Sequence, residues 1–201
     1  MGVVEDAVGA LAAGSLVVIP TDTVYGVAGS PYDESPAREI ARLKGRPGGM
    51  PIALVAASVD ALLACVPELR GRDETIARTL LPGPYTLVLH NPARRFPWLT
   101  GDGPDTIGVR APDVGGVAAD VLERAGAVAA TSANLHGGPD PRTLADVPAE
   151  IRAAATALVD GGELPGVAST VIDFTGSDPR VIREGALPAS DAIARVRAAL
   201  A

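Results

Sequence analysis

Short runs of consecutive apolar residues recur along the chain and predict buried strands. The first run, residues 16–19, is rich in β-branched side chains, as expected of a strand that is buried on both faces. Further strands are predicted at residues 51–56, 85–90, 106–110, 127–130 and 157–159. A hairpin is predicted near the end of the chain, with strands at residues 169–174 and 180–185.

Between these runs, apolar residues recur at intervals of three and four, which is typical of amphipathic helices. Helices are predicted at residues 3–12, 35–44, 58–66, 73–81, 117–123, 148–155 and about 189–200. Ser35 and Ser190 are placed to cap the N-termini of two of them, and Gly45 is placed to end the second. In the last helix, Ile193 and Leu200 are expected on the buried face with Val196.

Small polar residues follow the first strand. Pro20 has no amide hydrogen to donate to a neighbouring strand and should therefore end the strand, so Thr21, Asp22 and Thr23 should lie just beyond it. Open α/β sheets bind ligands at such strand ends. A plain turn with a helix cap explains the same three residues, and the pattern leaves both interpretations open.

The strand at 127–130 repeats this design, because Thr131, Ser132 and Asn134 follow it. Hydroxyls and backbone amides at such a position can hold phosphate or carboxylate oxygens. Arg110 offers a complementary charge. Alternation places it on the same face as Thr106, where a central strand would bury it unless an anion is bound, whereas an edge strand would leave it in solvent.

Composition narrows the classes of protein that these patterns allow. The 201 residues are 47% apolar with a mean hydropathy of +0.25, which is sufficient for one packed domain. There is no apolar run of about 18 residues, and Glu5 and Asp6 stand where a signal peptide needs basic residues, so a cytoplasmic protein is expected. One cysteine and two histidines argue against a zinc site.

The net charge of −7 argues against a broad basic face for nucleic acid, although a local positive cleft stays possible. Lys44 is the single lysine among 17 basic residues. Either it survives by chance, or its position requires a compact ammonium group. Lys44 and Arg46 together are explained equally well by capping of a helix C-terminus and by phosphate binding.

Seven short motifs, arriving in order over about residues 5–186, resemble the threonylcarbamoyl-AMP synthase (YrdC-like) family in its short single-domain form. They are PTDTVYG at 20–26, KGRP at 44–47, PGP at 82–84, GVR at 108–110, TSAN at 131–134, STVID at 169–173 and REG at 183–185. The resemblance implies one α/β domain over residues 1–201: a twisted mixed sheet, parallel and antiparallel, flanked by helices, with a large concave ligand-binding face.

The resemblance also implies a reaction. L-threonine, bicarbonate or CO₂, and ATP would give threonylcarbamoyl-AMP and pyrophosphate, with Mg²⁺ carried by ATP and no metal held by protein side chains. A downstream tRNA threonylcarbamoyl-transferase complex would receive the product. Stable binding of nucleic acid and attachment to a membrane are not expected.

Site residues carry over from the resemblance by their motifs. The catalytic residues would be Lys44, Arg46 and Arg110, and the threonine site would comprise Thr23, Ala130, Arg110 and Ser169. The ATP site would comprise Lys44, Arg46, Thr106, Ser132, Asn134, Asp140 and Arg183. Met50 and Val55 depart from some members of the family, which carry asparagine and histidine there.

Two other functions remain as alternatives. A non-catalytic RNA-binding or ribosome-associated protein would use the same concave face, but the acidic total and the 3% aromatic content weigh against it. A related enzyme could instead handle carbamoyl-adenylates in hydrogenase maturation. Such domains usually lie within longer multidomain chains.

Overall fold

A mixed β-sheet runs through the protein and is flanked by helices in this computed structural model, which describes residues 2–45 and 49–201. The strands of that described part are β1 (Leu16–Ile19), β2 (Gly26–Gly29), β3 (Ala53–Ala56), β4 (Tyr85–His90), β5 (Thr106–Arg110), β6 (Ala127–Ser132), β7 (Ala155–Leu158), β8 (Thr170–Asp173) and β9 (Arg180–Arg183). Its helices are α1 (Val3–Ala12), α2 (Glu34–Lys44), α3 (Val59–Cys65), α4 (Arg72–Leu80), α5 (Gly116–Ala125), α6 (Ala149–Ala154) and α7 (Ala189–Leu200), with a 3₁₀ turn at Leu144–Asp146.

The order of strands in the sheet is β7-β1-β2-β6-β3-β5-β4-β8-β9. The pairs β1/β7, β3/β5 and β4/β8 are parallel. The other neighbouring pairs are antiparallel. The expected mixed α/β sheet is therefore confirmed, and so is the hairpin formed by β8 and β9.

Apolar side chains pack on both faces of the sheet, as alternation along a strand requires. Val17 of β1 packs with Leu11 of α1 and Leu122 of α5 on one face. Its neighbour Val18 belongs to the cluster on the opposite face, where α2, α3, α4 and α7 pack. Strand β1 is thus buried from two sides.

Strand β4 indicates which part of the sheet stays open. Tyr85, Leu87 and Leu89 are buried, whereas Thr86 and Val88 on the opposite face are only partly covered. This partly covered region extends over β5, β4, β8 and β9, beside the part that α1 and α5 cover, and it forms a concave surface.

Two of the predicted helix caps are wrong. Helix α2 begins at Glu34, and its cap is Asp33, whose side chain accepts a hydrogen bond from the Ser35 amide at 2.7 Å. Helix α7 begins at Ala189 after Pro188, so Ser190 lies inside the helix. Gly45 does end α2, with the left-handed φ of 61° that favours glycine.

Some strand boundaries also differ from the prediction. Thr131 and Ser132 belong to β6 and do not follow it, because they pair with β2. Strand β2 itself was not predicted. In α7 the buried residues are Ala189, Ala192 and Val196, while Leu200 is 41% exposed, so its predicted inward position is wrong.

Within residues 2–45 and 49–201, none of the helices has the length and apolar character needed to span a bilayer.

Candidate functional site

A cavity of about 570 Å³ lies over the open part of the sheet. Its floor is made of small side chains, because Gly26, Ala53, Gly108 and Ala130 all line it. Six of the residues predicted from the sequence also line the cavity: Thr106, Arg110, Ala130, Ser132, Ser169 and Arg183. The structure therefore brings these six residues together from four different strands or strand ends.

The register of the sheet explains why these residues meet. One row of neighbours across β5, β4, β8 and β9 runs Arg110, Thr86, Val171, Arg183. The next row on the same face runs Gly108, Val88, Asp173, Arg180. Side chains in such rows point to one side of the sheet, so the two rows form one wall of the cavity.

Arg110 extends from β5 and is 9% exposed. Its Nη2 donates to the carboxylate of Asp22 and to Thr23 Oγ1, the latter at 2.7 Å. Burial lowers the pKa of Arg110, while the charge of Asp22 raises it and that of Arg183 lowers it further. Strand β5 is an inner strand, so the alternative of an edge arginine is wrong, and the counter-ion that burial demands is Asp22 of the same chain.

The guanidinium of Arg110 still has an unused donor. Its Nε is buried and has no hydrogen-bond partner within residues 2–45 and 49–201. An unpartnered buried donor is costly. The Arg110 side chain also lines the cavity, so its guanidinium can bind an anionic group there.

The residues after β1 form a chain of hydrogen bonds that supports Arg110. Thr21 Oγ1 donates to the Val24 carbonyl at 2.8 Å, and it lies 2.9 Å from Thr23 Oγ1. Since the Thr21 proton is already used, Thr23 donates to Thr21 while it accepts from Arg110. Thr21 lines the cavity, whereas Thr23 is completely buried behind it.

Arg183, at the end of the row opposite Arg110, is hydrogen-bonded to Ser169. Arg183 donates to the Ser169 carbonyl from Nη2 at 2.8 Å and from Nε at 3.1 Å. Ser169 Oγ lies 2.8 Å from Thr86 Oγ1. Thr86 was not predicted as a site residue, although the alternation in residues 85–90 places it on the open face.

Lys44 lies at the last turn of α2 and is 2% exposed. Its ammonium donates to the Ser132 carbonyl, to the Asn134 carbonyl at 2.6 Å and to Asn134 Oδ1 at 2.7 Å. Its own carbonyl accepts from the His136 amide at 2.9 Å. Three oxygens thus surround a group with three N–H donors, which favours the interpretation that the position requires an ammonium.

Five predicted residues are placed elsewhere or cannot be placed; one of them is Thr23, which is buried behind the cavity. Three of them, Lys44, Asn134 and Asp140, are not among the described residues that line the cavity. Asn134 nevertheless accepts a hydrogen bond from the hydroxyl of Ser132, and Ser132 lines the cavity. Arg46 lies outside the described residues. Within the described part of the chain, no group of three or more His, Cys, Asp or Glu side chains is arranged to hold a metal ion.

Fold and site together define an α/β protein whose mixed sheet carries a concave, arginine-bearing pocket suited to anionic small molecules. A family profile described as "Telomere recombination" (Sua5_yciO_yrdC) matches residues 9–185. The chain therefore belongs to the Sua5/YciO/YrdC family, and the resemblance drawn from the seven motifs is confirmed.

Relatives in this family bear names that specify an activity. The threonylcarbamoyl-AMP synthase of Pyrococcus abyssi is 36% identical over 185 residues, which cover 90% of this chain and 54% of that protein. The putative threonylcarbamoyl-AMP synthase of Mycobacterium tuberculosis H37Rv is 34% identical over 183 residues, covering 90% of this chain and 83% of that protein. The chain thus spans about half of the first relative and most of the second.

Solved structures show the same fold. The crystal structure of P. abyssi Sua5 complexed with L-threonine superposes with a TM-score of 0.85 at 36% identity, over 96% of this chain and 56% of that one. Escherichia coli YciO superposes with a TM-score of 0.81 at 25% identity, over 92% and 90% of the two chains. The predicted YrdC-like architecture is confirmed.

Proposed function

We propose that this chain is a threonylcarbamoyl-AMP synthase, which makes threonylcarbamoyl-AMP and pyrophosphate from L-threonine, bicarbonate or CO₂, and ATP. Membership of the family and the names of relatives that align over 90% of the chain support this assignment. The observation on which the proposal depends is the guanidinium of Arg110, which lines the cavity and is held in place by Asp22 and Thr23. Such a guanidinium can bind the carboxylate of an amino acid.

In this proposal the threonine site lies around Arg110 and Ser169. Arg110 binds the α-carboxylate, and the hydroxyl of Ser169, fixed by Thr86, binds a second polar group of the amino acid. Thr23 holds the guanidinium in place, and the backbone of Ala130 borders the site. The L-threonine named in the P. abyssi complex matches this choice of substrate.

The ATP site would occupy the remainder of the cavity. Thr106, Ser132 and Arg183 line it, and Arg46, Asn134 and Asp140 are the further members that the sequence predicts. Lys44 would act there by holding the loop of Ser132 and Asn134 in place. All seven of these assignments are proposals.

Mg²⁺ would enter with ATP, held mainly by phosphate oxygens, as is usual for this ion. The Asp102 carboxylate lines the cavity and offers oxygen ligands of the type that Mg²⁺ prefers. When bound, the ion would neutralise part of the phosphate charge.

The chemistry needs positioning more than a protein nucleophile. The amino nitrogen of threonine attacks CO₂ and loses a proton, which gives a carbamate. A carbamate oxygen then attacks the α-phosphorus of ATP while the bond to pyrophosphate breaks. The cationic side chains gather three anionic groups, and positioning of this kind can supply about 7 to 11 kcal/mol of the barrier reduction.

Product analysis tests the proposal. The purified chain is incubated with ATP, Mg²⁺ and bicarbonate, with threonine or, as a control, serine; the expected result is pyrophosphate release and a threonylcarbamoyl-AMP mass that depends on threonine. Arg110→Ala should abolish both. Salt-dependent RNA binding without any consumption of ATP would instead favour a non-catalytic protein. The proposed site of action is the cytoplasm, with delivery of the product to a tRNA-modifying transferase.

A further inference from the structure

Arg180 is a basic residue of the cavity wall that neither the motifs nor the mechanism above uses. It lies at the start of β9, and its side chain is 75% exposed. Its Nη2 donates to Asp173 Oδ2 at 2.9 Å. The other oxygen of Asp173 accepts from the amide and the hydroxyl of Thr175, at 2.9 and 2.6 Å.

An irregularity in β9 explains how Arg180 reaches the cavity. Strict alternation would put residues 180 and 183 on opposite faces of the strand. The register shifts, however, because Val171 pairs with Arg183 while Ile172 pairs with Val181, so that Ile182 is an extra residue. Such a bulge reorients the side chains next to it, and Arg180, Ile182 and Arg183 all line the cavity.

The register also defines which part of the cavity Arg180 occupies. Its row contains Gly108 and Val88. Two residues along the strands on one side lies the row of Arg183, and two residues along on the other side lies the row in which His90 pairs with Thr106. Alternate residues along a strand are about 7 Å apart. Arg180 therefore stands between the levels of Arg183 and Thr106, the two wall residues proposed to bind ATP.

We propose that Arg180 binds a phosphate group of ATP at the mouth of the cavity. This inference rests on the proposed function. The arginine exchanges the carboxylate of Asp173 for a phosphate, which can accept two parallel N–H donors from one guanidinium. The exchange costs little free energy, because an ion pair with so exposed an arginine is weak. Arg110 and Arg183 differ from Arg180, because buried protein acceptors hold their guanidinium groups.

The test is equilibrium binding of ATP with Mg²⁺ by calorimetry, without threonine, on the wild type and Arg180→Ala. The Kd for ATP should rise about five- to tenfold, because solvent screens a charge-assisted contact made by so exposed a side chain. In turnover assays the KM for ATP should rise similarly, and the KM for threonine should stay within about twofold. Because the side chain is exposed, the variant should fold normally.

Two further variants sharpen the result. Arg38 is a matched control, since it is also 75% exposed and paired with a carboxylate, that of Glu34 on α2; Arg38→Ala should leave ATP binding unchanged. Asp173→Asn releases Arg180 from its charged partner and should retain or tighten ATP binding. Weaker binding in Asp173→Asn and Arg180→Ala alike would indicate a purely structural pair and overturn the proposal.

The outcomes separate this inference from the proposed function. If the wild type forms product and Arg180→Ala binds ATP with the wild-type Kd, the role of Arg180 is overturned while the function stands. If the wild type forms no product but binds ATP more tightly than Arg180→Ala does, the inference holds and the function fails. A wild type that neither binds ATP nor forms product overturns both.

Discussion

Arg110 and Asp22 form a buried ion pair between β5 and the segment that leaves β1. Their side chains are 11% and 9% exposed. The second carboxylate oxygen of Asp22 accepts from the Asp113 amide at 3.1 Å, so this one side chain joins the exit of β1 to the exit of β5. The pair thereby fixes the position of the guanidinium that faces the cavity.

Removal of Asp22 should destabilise the protein strongly. Asp22→Ala leaves a buried guanidinium without its counter-ion, a change that typically costs about 3 to 5 kcal/mol in the free energy of unfolding. Urea denaturation measures this loss. The control is Asp105→Ala, which breaks an ion pair between Arg94 and Asp105, side chains that are 64% and 70% exposed. This substitution should cost less than about 1 kcal/mol in the free energy of unfolding. Equal losses of unfolding free energy in the two variants would show that burial does not make the Asp22–Arg110 pair more important for stability than an exposed pair.

Replacement of Lys44 by arginine should impair the protein even though the charge is kept. A planar guanidinium cannot offer three donors to the oxygens of Ser132 and Asn134 within the same buried volume. Overpacking and lost hydrogen bonds together should cost about 2 to 4 kcal/mol in the free energy of unfolding. The His136 amide, which donates to Lys44, should exchange its hydrogen faster.

The readouts for Lys44→Arg are urea denaturation, hydrogen exchange over residues 132–138 and pyrophosphate release. Arg42→Lys on the same helix is a suitable control, because Arg42 is 69% exposed and pairs with Glu39. Wild-type exchange and turnover in Lys44→Arg would mean that the lysine survives at this position by chance.

Much of the fold could be predicted because local pattern and tertiary environment agree. The apolar run at 16–19 is β1, and the run at 85–90 is β4. Strand β2 was not predicted because three of its four residues are glycine or alanine, which have little strand propensity. It is a strand because β1 and β6 pair with it on both sides, and such pairing cannot be read from a local window.

The candidate site was predictable in its residues but not in their partners. Arg110 and Ser169 were predicted from seven short motifs that occur together in order, and both line the cavity. That Asp22 is the counter-ion of Arg110 depends on a contact across 88 residues of sequence. That Arg180 faces the cavity depends on a bulge in β9. Long-range contacts and register shifts leave no periodic signal in the sequence.

Substitution of Gly185 by alanine should disturb the threonine site. A Cβ at Gly185 would overlap the Ala168 carbonyl oxygen and lie 2.6 Å from the Ser169 carbonyl oxygen, so the backbone there must shift. The shift should weaken the bonds between Arg183 and Ser169, lower the free energy of unfolding by about 1 to 3 kcal/mol and raise the KM for threonine.

Gly9→Ala is the control for Gly185→Ala. Gly9 lies in α1 and has nothing within 4 Å of an added Cβ. Alanine there should stabilise the helix by about 0.5 to 1 kcal/mol without a change in kinetics. A Gly185→Ala variant with wild-type stability and KM would mean that the segment after β9 does not define the site.

Thr86 should contribute to threonine binding through its hydroxyl. Thr86→Val keeps the shape of the side chain but removes the partner that lies 2.8 Å from Ser169 Oγ, so the Ser169 hydroxyl is no longer fixed. We expect the KM for threonine to rise about five- to tenfold, as for the loss of one hydrogen bond to substrate, with the KM for ATP unchanged. Thr86→Ser should restore the wild-type value, whereas Thr79→Val, which removes a helix hydroxyl bonded to the Thr75 carbonyl, should have no kinetic effect. Steady-state pyrophosphate release measures all three variants, and an unchanged KM for threonine in Thr86→Val would leave the Thr86 hydroxyl with a packing role alone.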